Sequence, residues 1–259
     1  MLENLQKTVV VTGAMLPIER GESDARRNLM ISIVVAAVSN IPEVIVVFRD
    51  AILRGNRTKK IDAESMNAFV SPNFPPLAIV GSELIIQRAL VWQPNPLARL
   101  TLRTAMDGNI VAIRLIPGFR DDALRLLTNV AGLKGMILEL YGAGNAPKNL
   151  DLINSVKSAV ARGVVVMIVS QCPRGVVDLQ AYSSGRQMLE AGALSAGDMT
   201  FEACAVKMAF LFGQGLNNDT VKHAMTRSLR GEISLASKSE ARFMDCIVVK
   251  DVSHLVAHV

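Results

Sequence analysis

Short apolar runs rich in β-branched residues recur along this chain, and stretches of helical spacing separate them. Runs of this length are typical of strands buried on both faces, as in a parallel sheet. The sequence predicts such strands at residues 9–12, 44–48, 110–116, 135–140 and 164–169. Because strands and helices alternate, the pattern favours a doubly wound α/β fold.

Capping residues and apolar spacing mark the predicted helices. Asp24 is expected to cap a helix over about residues 26–39. Another helix is predicted over residues 149–161, where apolar side chains recur at helical spacing. Asp198 and Thr200 are expected to cap a further helix that follows them.

A proline-rich stretch at residues 71–76 interrupts this pattern and predicts a break between two units. We expect two doubly wound three-layer units, the second a smaller Rossmann-like domain with a parallel sheet. The expected boundaries are residues 1–80 for the first unit, 81–106 for a linker, 107–234 for the second unit and 235–259 for a tail of unassigned role. The first unit is expected to be incomplete at its N-terminus, because the strand at 9–12 looks fully buried and almost no chain precedes it.

Charge and composition argue against several classes of partner. Lys and Arg number 28 against 23 Asp and Glu, and aromatic residues make up only 4%. Nucleic-acid binders usually combine a basic stripe with aromatic platforms, so no nucleic-acid partner is expected. No apolar run approaches the roughly 20 residues of a membrane span, so no membrane partner is expected. Three widely spaced cysteines without a CxxC pair argue against a disulfide framework and a structural metal site.

The basic segment, residues 54–60, is the strongest local candidate for a site. It holds Arg54, Arg57, Lys59 and Lys60 just after a predicted strand, where α/β sheets bind ligands. Neighbouring cations disfavour a protonated ammonium, which would allow Lys60 to act as a base. Three alternatives stay open: a solvated basic loop, a phosphate-binding loop that lacks the GxxxxGK[ST] pattern, and an RNA- or anion-binding surface.

A set of short segments, in order over residues 2–234, carries a shared pattern. The segments are KTVVVTGAMLP (7–17), Ser23-Asp24 with Asn28-Leu29, IPEV (41–44), LRGNRTKK (53–60), Asp62-Ala63, Ala68-Phe69 with SPN (71–73) and PPL (75–77), GAGN (142–145), AG (191–192), GDMTFEA (197–203) and LRGE (229–232). Together they resemble the L-asparaginases, in particular the cytoplasmic type and the animal asparaginase that is fused to ankyrin repeats.

This resemblance implies hydrolysis of L-asparagine to L-aspartate and ammonia through a threonine nucleophile, without metal or cofactor. Lys60 stands at the position of the lysine in a Thr–Lys–Asp set that activates water or the attacking hydroxyl. Ala14 matches a position whose backbone borders the substrate. Asn145 is similar to a residue that reaches a neighbouring subunit's site. The resemblance also implies a cytoplasmic homo-oligomer.

Two catalytic elements of the family, Thr-Gly-Gly-Thr and Gly-Thr-Asp-Thr, do not occur in these 259 residues. We therefore expect the nucleophile segment to be missing and the chain alone to have little or no activity. The alternative is an inactive truncated isoform or subunit that associates with a full-length asparaginase. Lys59 stands where the family often has Thr, and Ala25 where it usually has Gly.

Other nucleophiles and ligands are weaker candidates. Thr12 ends a predicted strand and is the first to consider as a substitute nucleophile. Cys172 has no evident histidine partner, so we interpret it as a buried structural thiol. His254 and His258 are four residues apart, but no third metal ligand accompanies them.

Overall fold

The computed structural model describes residues 1–147, 150–234 and 246–249. It divides into two compact units, the first formed by residues 1–103 with the strand at 246–249, and the second beginning at Thr104. In chain order the elements are β1 Leu2–Glu3, β2 Val9–Val11, α1 Ala25–Val38, β3 Val44–Phe48, β4 Ala51–Arg54, β5 Lys59–Lys60, β6 Phe69–Val70, β7 Ala78–Val80, β8 Leu84–Gln87, β9 Thr101–Leu102, β10 Ile110–Arg114, α2 Asp121–Thr128, β11 Gly135–Leu140, α3 Leu150–Ala161, β12 Val165–Ser170, α4 Ser183–Glu190, β13 Leu194–Ser195, α5 Phe201–Gly213, α6 Asn218–Met225 and β14 Cys246–Val249.

The first unit is built on a six-stranded sheet in the order β14-β8-β7-β4-β3-β2. Only β2 and β3 pair in parallel, and the other neighbours are antiparallel. Only Arg49 and Asp50 join β3 to β4, and two residues permit a hairpin but not the longer crossover that parallel strands need. The sheet is therefore mixed where the sequence pattern predicts parallel strands.

Helix α1 covers one face of this sheet. Val10, Ile45 and Val47 share that face, and Val35 of α1 packs among them. The opposite side of α1 is apolar as well, and Leu29 and Ile33 are each 47% exposed there. The helix is thus apolar beyond the stripe that it buries against the sheet.

The first unit extends to Arg103, beyond the expected boundary at residue 80. The stretch 81–106, expected to be a linker, contains β8 and β9. Strand β8 pairs with β7 in the large sheet, and β9 pairs with β1 through Leu2 and Leu102. The segment 235–259 is expected to be a tail. Strand β14, the part of it that the structure describes, pairs with β8 on the side away from β7.

The second unit is a three-layer α/β domain around a four-stranded parallel sheet in the order β10-β11-β12-β13. Met136, Leu138 and Leu140 of β11 pack with residues of α2, α3 and α4 in one core. On the opposite face Gly135 lies against Met208 and Phe212 of α5. The α/β class, the Rossmann-like parallel sheet and its covering helices are therefore confirmed.

None of the described helices is long and apolar enough to span a membrane.

Candidate functional site

The loop that follows β2, residues 12–16, contains Ala14 at an exposed position. Thr12 begins the loop, and its Oγ1 donates a 2.8 Å hydrogen bond to the carbonyl oxygen of Val47. Asn28 of α1 donates from Nδ2 to the carbonyl oxygen of Gly13 at 2.9 Å. The backbone just before Ala14 is thus held by β3 through Thr12 and by α1 through Gly13.

Asp24 fixes the far end of this loop. Its carboxylate accepts hydrogen bonds from the backbone N–H groups of Met15 and Leu16 at 3.0 and 3.1 Å, and from Asn28 Nδ2 at 3.1 Å. Asp24 is the N-cap residue of α1, as predicted, but its side chain makes no hydrogen bond that caps the helix. Desolvation raises the pKa of Asp24, but the hydrogen bonds outweigh it, and the pKa lies below its ordinary value.

Arg54, the first cation of the basic segment, is buried in an ion pair. Its guanidinium donates from Nη2 to Glu43 Oε1 at 2.9 Å and to the carbonyl oxygen of Leu90 at 2.7 Å. Glu43 also accepts the backbone N–H of Trp92 at 2.6 Å. Arg54 is 4% exposed, so it ties three segments of the first unit together and is not on the surface.

Arg57 is buried as well, at 1% exposure. The guanidinium groups of Arg57 and Arg54 lie 5.1 and 4.5 Å from the ring centroid of Phe74, within the range of cation–π attraction. Two of the four cations are therefore part of the core. This burial contradicts the alternatives of a solvated basic loop and of an RNA- or anion-binding surface that uses both arginines.

Lys60 is the exposed cation of the basic segment, while Lys59 beside it is half-buried. The two lysines form β5, whose partner is β6, with Lys60 opposite Phe69. The Lys60 Nζ lies 5.8 Å from the Phe69 ring centroid. Asp62 follows, and the backbone N–H groups of Ser65 and Glu64, together with the nearby charge of Lys60, hold the pKa of Asp62 below its ordinary value.

Asn145 lies in the second unit, just after β11. Its backbone pairs with Tyr141, with the Asn145 N–H donating to the Tyr141 carbonyl oxygen at 2.8 Å. Its Oδ1 accepts a 3.0 Å hydrogen bond from Ser184 Oγ. The side chain is thus oriented from within its own unit. Lys60 and Ala14 lie in the first unit and Asn145 in the second.

Helix α5 begins within the GDMTFEA motif of the second unit, and a buried ion pair joins this helix to the LRGE motif. Thr200 caps α5 by accepting the Ala203 N–H at 3.1 Å, as predicted. Lys207 of α5 lies 2.7 Å from Glu232, and their side chains are 3% and 5% exposed. Burial raises the pKa of Glu232. Lys207 and the N–H groups of the LRGE turn lower it by more, so the pKa of Glu232 lies below its ordinary value. These motifs therefore hold the fold together.

The weaker candidates gain little from the structure. The Thr12 hydroxyl donates to a backbone carbonyl, which cannot take up a proton as a catalytic base must. Cys172 is exposed, so its interpretation as a buried thiol is wrong. His254 and His258 lie outside the described residues. Within the described part of the chain, no cluster of three or more His, Cys, Asp or Glu side chains is arranged to hold a metal.

Comparison with known proteins identifies the family. Residues 1–92 match the family model "Asparaginase, N-terminal", and residues 109–225 match "Glutaminase/Asparaginase C-terminal domain". L-asparaginase 1 of Escherichia coli K12 is 37% identical over 236 residues, which cover 90% of this chain and 69% of that protein. The chain belongs to the asparaginase family.

Other asparaginase-family relatives differ in length. The human 60 kDa lysophospholipase is 40% identical over 243 residues, and the match covers 93% of this chain but 42% of the human protein. This chain therefore spans less than half of that relative. The crystal structure of L-asparaginase I from Vibrio cholerae has a TM-score of 0.83 at 36% identity, over 91% of this chain and 70% of the bacterial one. The two-domain α/β fold is that of the asparaginases.

Proposed function

We propose that this protein takes part in asparaginase-type amide hydrolysis, which converts L-asparagine and water to L-aspartate and ammonia. Support comes from the family and from relatives named L-asparaginase. The single observation that carries the proposal for this chain is the exposure of Lys60 in a segment whose two arginines are buried. This exposure supports the proposal that Lys60 is the lysine of the family's Thr–Lys–Asp set.

In this proposal Lys60 acts as the base that takes a proton from the attacking threonine hydroxyl or from water. Hydrogen-bond donors around the reacting carbonyl stabilise the tetrahedral oxyanion, as in other acyl transfers. The backbone at Ala14 borders the substrate, and the bonds from Thr12 and Asn28 that hold this loop support a fixed substrate edge. Asn145 contributes to a neighbouring subunit's site. The reaction needs no metal and no cofactor.

The threonine nucleophile of the family has no counterpart motif in these 259 residues, so we propose that this chain by itself has little or no activity.

A chimera tests the role of Lys60 directly. The N-terminal part of E. coli L-asparaginase 1 that lies outside the match is fused before Met1, and ammonia release from L-asparagine is measured. The chimera is expected to be active. Lys60→Ala is expected to lower its kcat by about 10²-fold or more, the usual contribution of a general base.

Lys59→Thr is the matched control, since it changes the adjacent lysine to the residue that the family often carries. It should leave kcat within a few-fold of the chimera's value. An active chimera that tolerates Lys60→Ala would refute the assignment of Lys60. Ammonia release by the unfused chain that Lys60→Ala abolishes would show instead that a nucleophile lies within it, and Thr12 would then be the first residue to replace.

We further propose a cytoplasmic location and a homo-oligomer, in line with the cytoplasmic-type enzymes that the chain resembles. We propose that the chain binds L-asparagine, and we propose neither a nucleic-acid partner nor a membrane partner. Sedimentation of the purified chain tests the oligomer, because a single species at the 27.9 kDa of one chain would contradict it.

A second candidate function is association, without catalysis, with a full-length asparaginase. One feature of the first unit favours it: among the described residues, β2 has a paired strand on one side only. Val11 beside this edge is 51% exposed, and the apolar outer side of α1 carries Leu29 and Ile33 at 47% each. Unpaired strand edges and apolar patches of this kind are typical of interaction surfaces.

Size-exclusion chromatography with E. coli L-asparaginase 1 as the full-length partner tests this association. The chain is expected to co-elute with the enzyme, and Leu29→Lys is expected to weaken that association. Leu97→Lys is the control, since Leu97 is 93% exposed but lies outside α1 and β2. If the chain elutes alone at every concentration, the association proposal is wrong.

A further inference from the structure

The side chain of Lys60 lies over an aromatic ring that is itself held by the sheet. Lys60 and Phe69 are opposite each other in the β5–β6 ladder, so their side chains emerge on the same face of the hairpin. The Phe69 ring is packed against that of Phe48 at a centroid distance of 4.8 Å and an interplanar angle of 53°. Phe48 ends β3 and is 5% exposed.

These contacts form a continuous path from the sheet to the amine. Strand β3 fixes Phe48, Phe48 fixes the tilt of Phe69, and the Phe69 ring faces the Lys60 ammonium at 5.8 Å. A ring face attracts a cation through its quadrupole, and the contact has a defined direction. An exposed lysine side chain would otherwise sample many rotamers, because four torsions separate its amine from the backbone.

The carboxylate of Asp62, two residues after Lys60, is occupied by its own turn. Asp62 Oδ1 accepts the backbone N–H groups of Glu64 and Ser65, both at 2.8 Å. Its charge acts on Lys60, but these two bonds anchor the carboxylate to the 62–65 turn. Phe69 is a group in direct contact with the Lys60 side chain, on the face of the β5–β6 hairpin that the two residues share.

We propose that Phe69 is a positioning residue for Lys60: its ring, fixed by Phe48, restricts the amine to one direction from the hairpin. The catalytic part of this inference rests on the proposed function, whereas the contact between Phe69 and Lys60 does not depend on activity. Phe69 lies in the Ala68-Phe69…Ser71-Pro72-Asn73 segment, nine residues after Lys60. Nothing in the sequence indicates that its ring contacts the lysine side chain.

The contact is tested by NMR on the unfused chain, whose lysines are converted to ¹³C-dimethyl-lysines, a modification that keeps the charge. The Lys60 signal is assigned by its loss in Lys60→Arg. It is expected upfield of the solvated lysine signals because of the Phe69 ring current, and Phe69→Leu is expected to move it back among them. Phe69→Tyr, which keeps the ring, should restore the upfield position, and Val70→Ala on the same strand should leave it unchanged.

The catalytic consequence is tested in the active chimera. Phe69→Leu is expected to lower kcat about two- to five-fold with KM unchanged, because the lysine side chain is no longer held in one direction, and Phe69→Tyr is expected to recover it. A Lys60 signal at the solvated position in the unaltered chain, or one that ignores Phe69→Leu, overturns the inference. A ring-shifted signal together with a chimera that Lys60→Ala leaves active would overturn the proposed function while the contact stands.

Discussion

A single carboxamide connects three segments of the first unit. Asn28 donates to the Gly13 carbonyl oxygen and to Asp24, and its Oδ1 accepts the N–H of Arg49 at 3.0 Å. Asn28 is 1% exposed, so its carboxamide is buried, whereas its partners Gly13 and Arg49 are exposed. Arg49 has a φ of +54°, and the bond to its N–H helps hold this left-handed turn between β3 and β4.

Asn28→Ala should lower the free energy of unfolding of the first unit by about 1–3 kcal/mol, since it removes the three hydrogen bonds of a buried carboxamide. Trp92, the single tryptophan, lies in this unit, so its fluorescence during urea titration measures the change. Arg26→Ala on the exposed side of the same helix should cost less than about 0.5 kcal/mol. Equal effects of the two variants would contradict this account.

Asp24 predicts a pH dependence with a defined sign. Its pKa in the folded chain lies below its ordinary value of 3.8, so its stabilising effect is complete above pH 3.8 and is lost as the pH falls through the folded pKa. Asp24→Asn should therefore be less stable at pH 7, and the gap to the unaltered chain should narrow toward pH 3. Urea midpoints of Trp92 fluorescence at several pH values measure the gap, and a constant gap would contradict the prediction.

At this scale the sequence identifies residues better than it identifies their contacts. Asp24 and Asn28 stand out four residues apart, which places them on one helix face, but helical spacing cannot show that the carboxylate binds the loop at Met15 and Leu16. Charge spacing likewise groups Arg54 with Lys60. Their separation into a buried and an exposed side chain depends on Glu43 and Phe74, which are distant in sequence.

The end of α5 determines how the second unit begins. The Asp107 N–H donates to the Ala209 carbonyl oxygen at 2.9 Å, and Gln214 Nε2 donates to the Ala105 carbonyl oxygen at 3.0 Å. A Cβ at Gly213 would lie 2.5 Å from the Ala105 carbonyl oxygen and 2.6 Å from Met106 Cα. The first residues of the unit can approach the helix because glycine has no side chain there.

Gly213→Ala should destabilise the second unit by about 1–3 kcal/mol, because backbone at Ala105 and Met106 must shift to admit the methyl group. Gly108→Ala is the matched control, since no atom lies within 4 Å of the Cβ that it would add. Amide hydrogen exchange in β11 and β12 measures the difference. Equal protection in the two variants would show that the close approach is not maintained in solution.

Elements were predictable where one local signal decides them. The Thr200 cap and the apolar run of β12 are such cases. Asn149, the expected first residue of α3, lies outside the described residues, and the helix is described from Leu150. Strands β5 and β6 have two residues each, too few for a period-two pattern. They exist because they pair with each other, and pairing is not a property of either segment alone.

For the whole molecule, the alternation of strands and helices was enough to predict the α/β class and two units. The boundary at Arg103 was not predictable, because the strands that extend the first unit, β8 and β9, are short and interrupted by turns. Their assignment requires their partners β7 and β1, the latter almost 100 residues earlier in the chain.

Two units with separate cores should respond separately to local damage. Asn28→Ala is expected to increase amide exchange in β2 and β3 while leaving β11 and β12 protected, and Gly213→Ala is expected to do the reverse. Each core is a contiguous apolar cluster drawn from one unit, which is the basis of this expectation. Increased exchange throughout the chain in either variant would show instead that the two units unfold as one.

Strand β14 closes the β8 edge only after the second unit has been made. On the ribosome, residues 88–245 are synthesised between the two strands of this pair. At typical translation rates of about 5–20 residues per second, the β8 edge stays open for roughly 10–30 s. During that interval the nascent first unit offers bare backbone to any extended chain nearby, so its time of greatest vulnerability to aggregation is set by the synthesis of its neighbour.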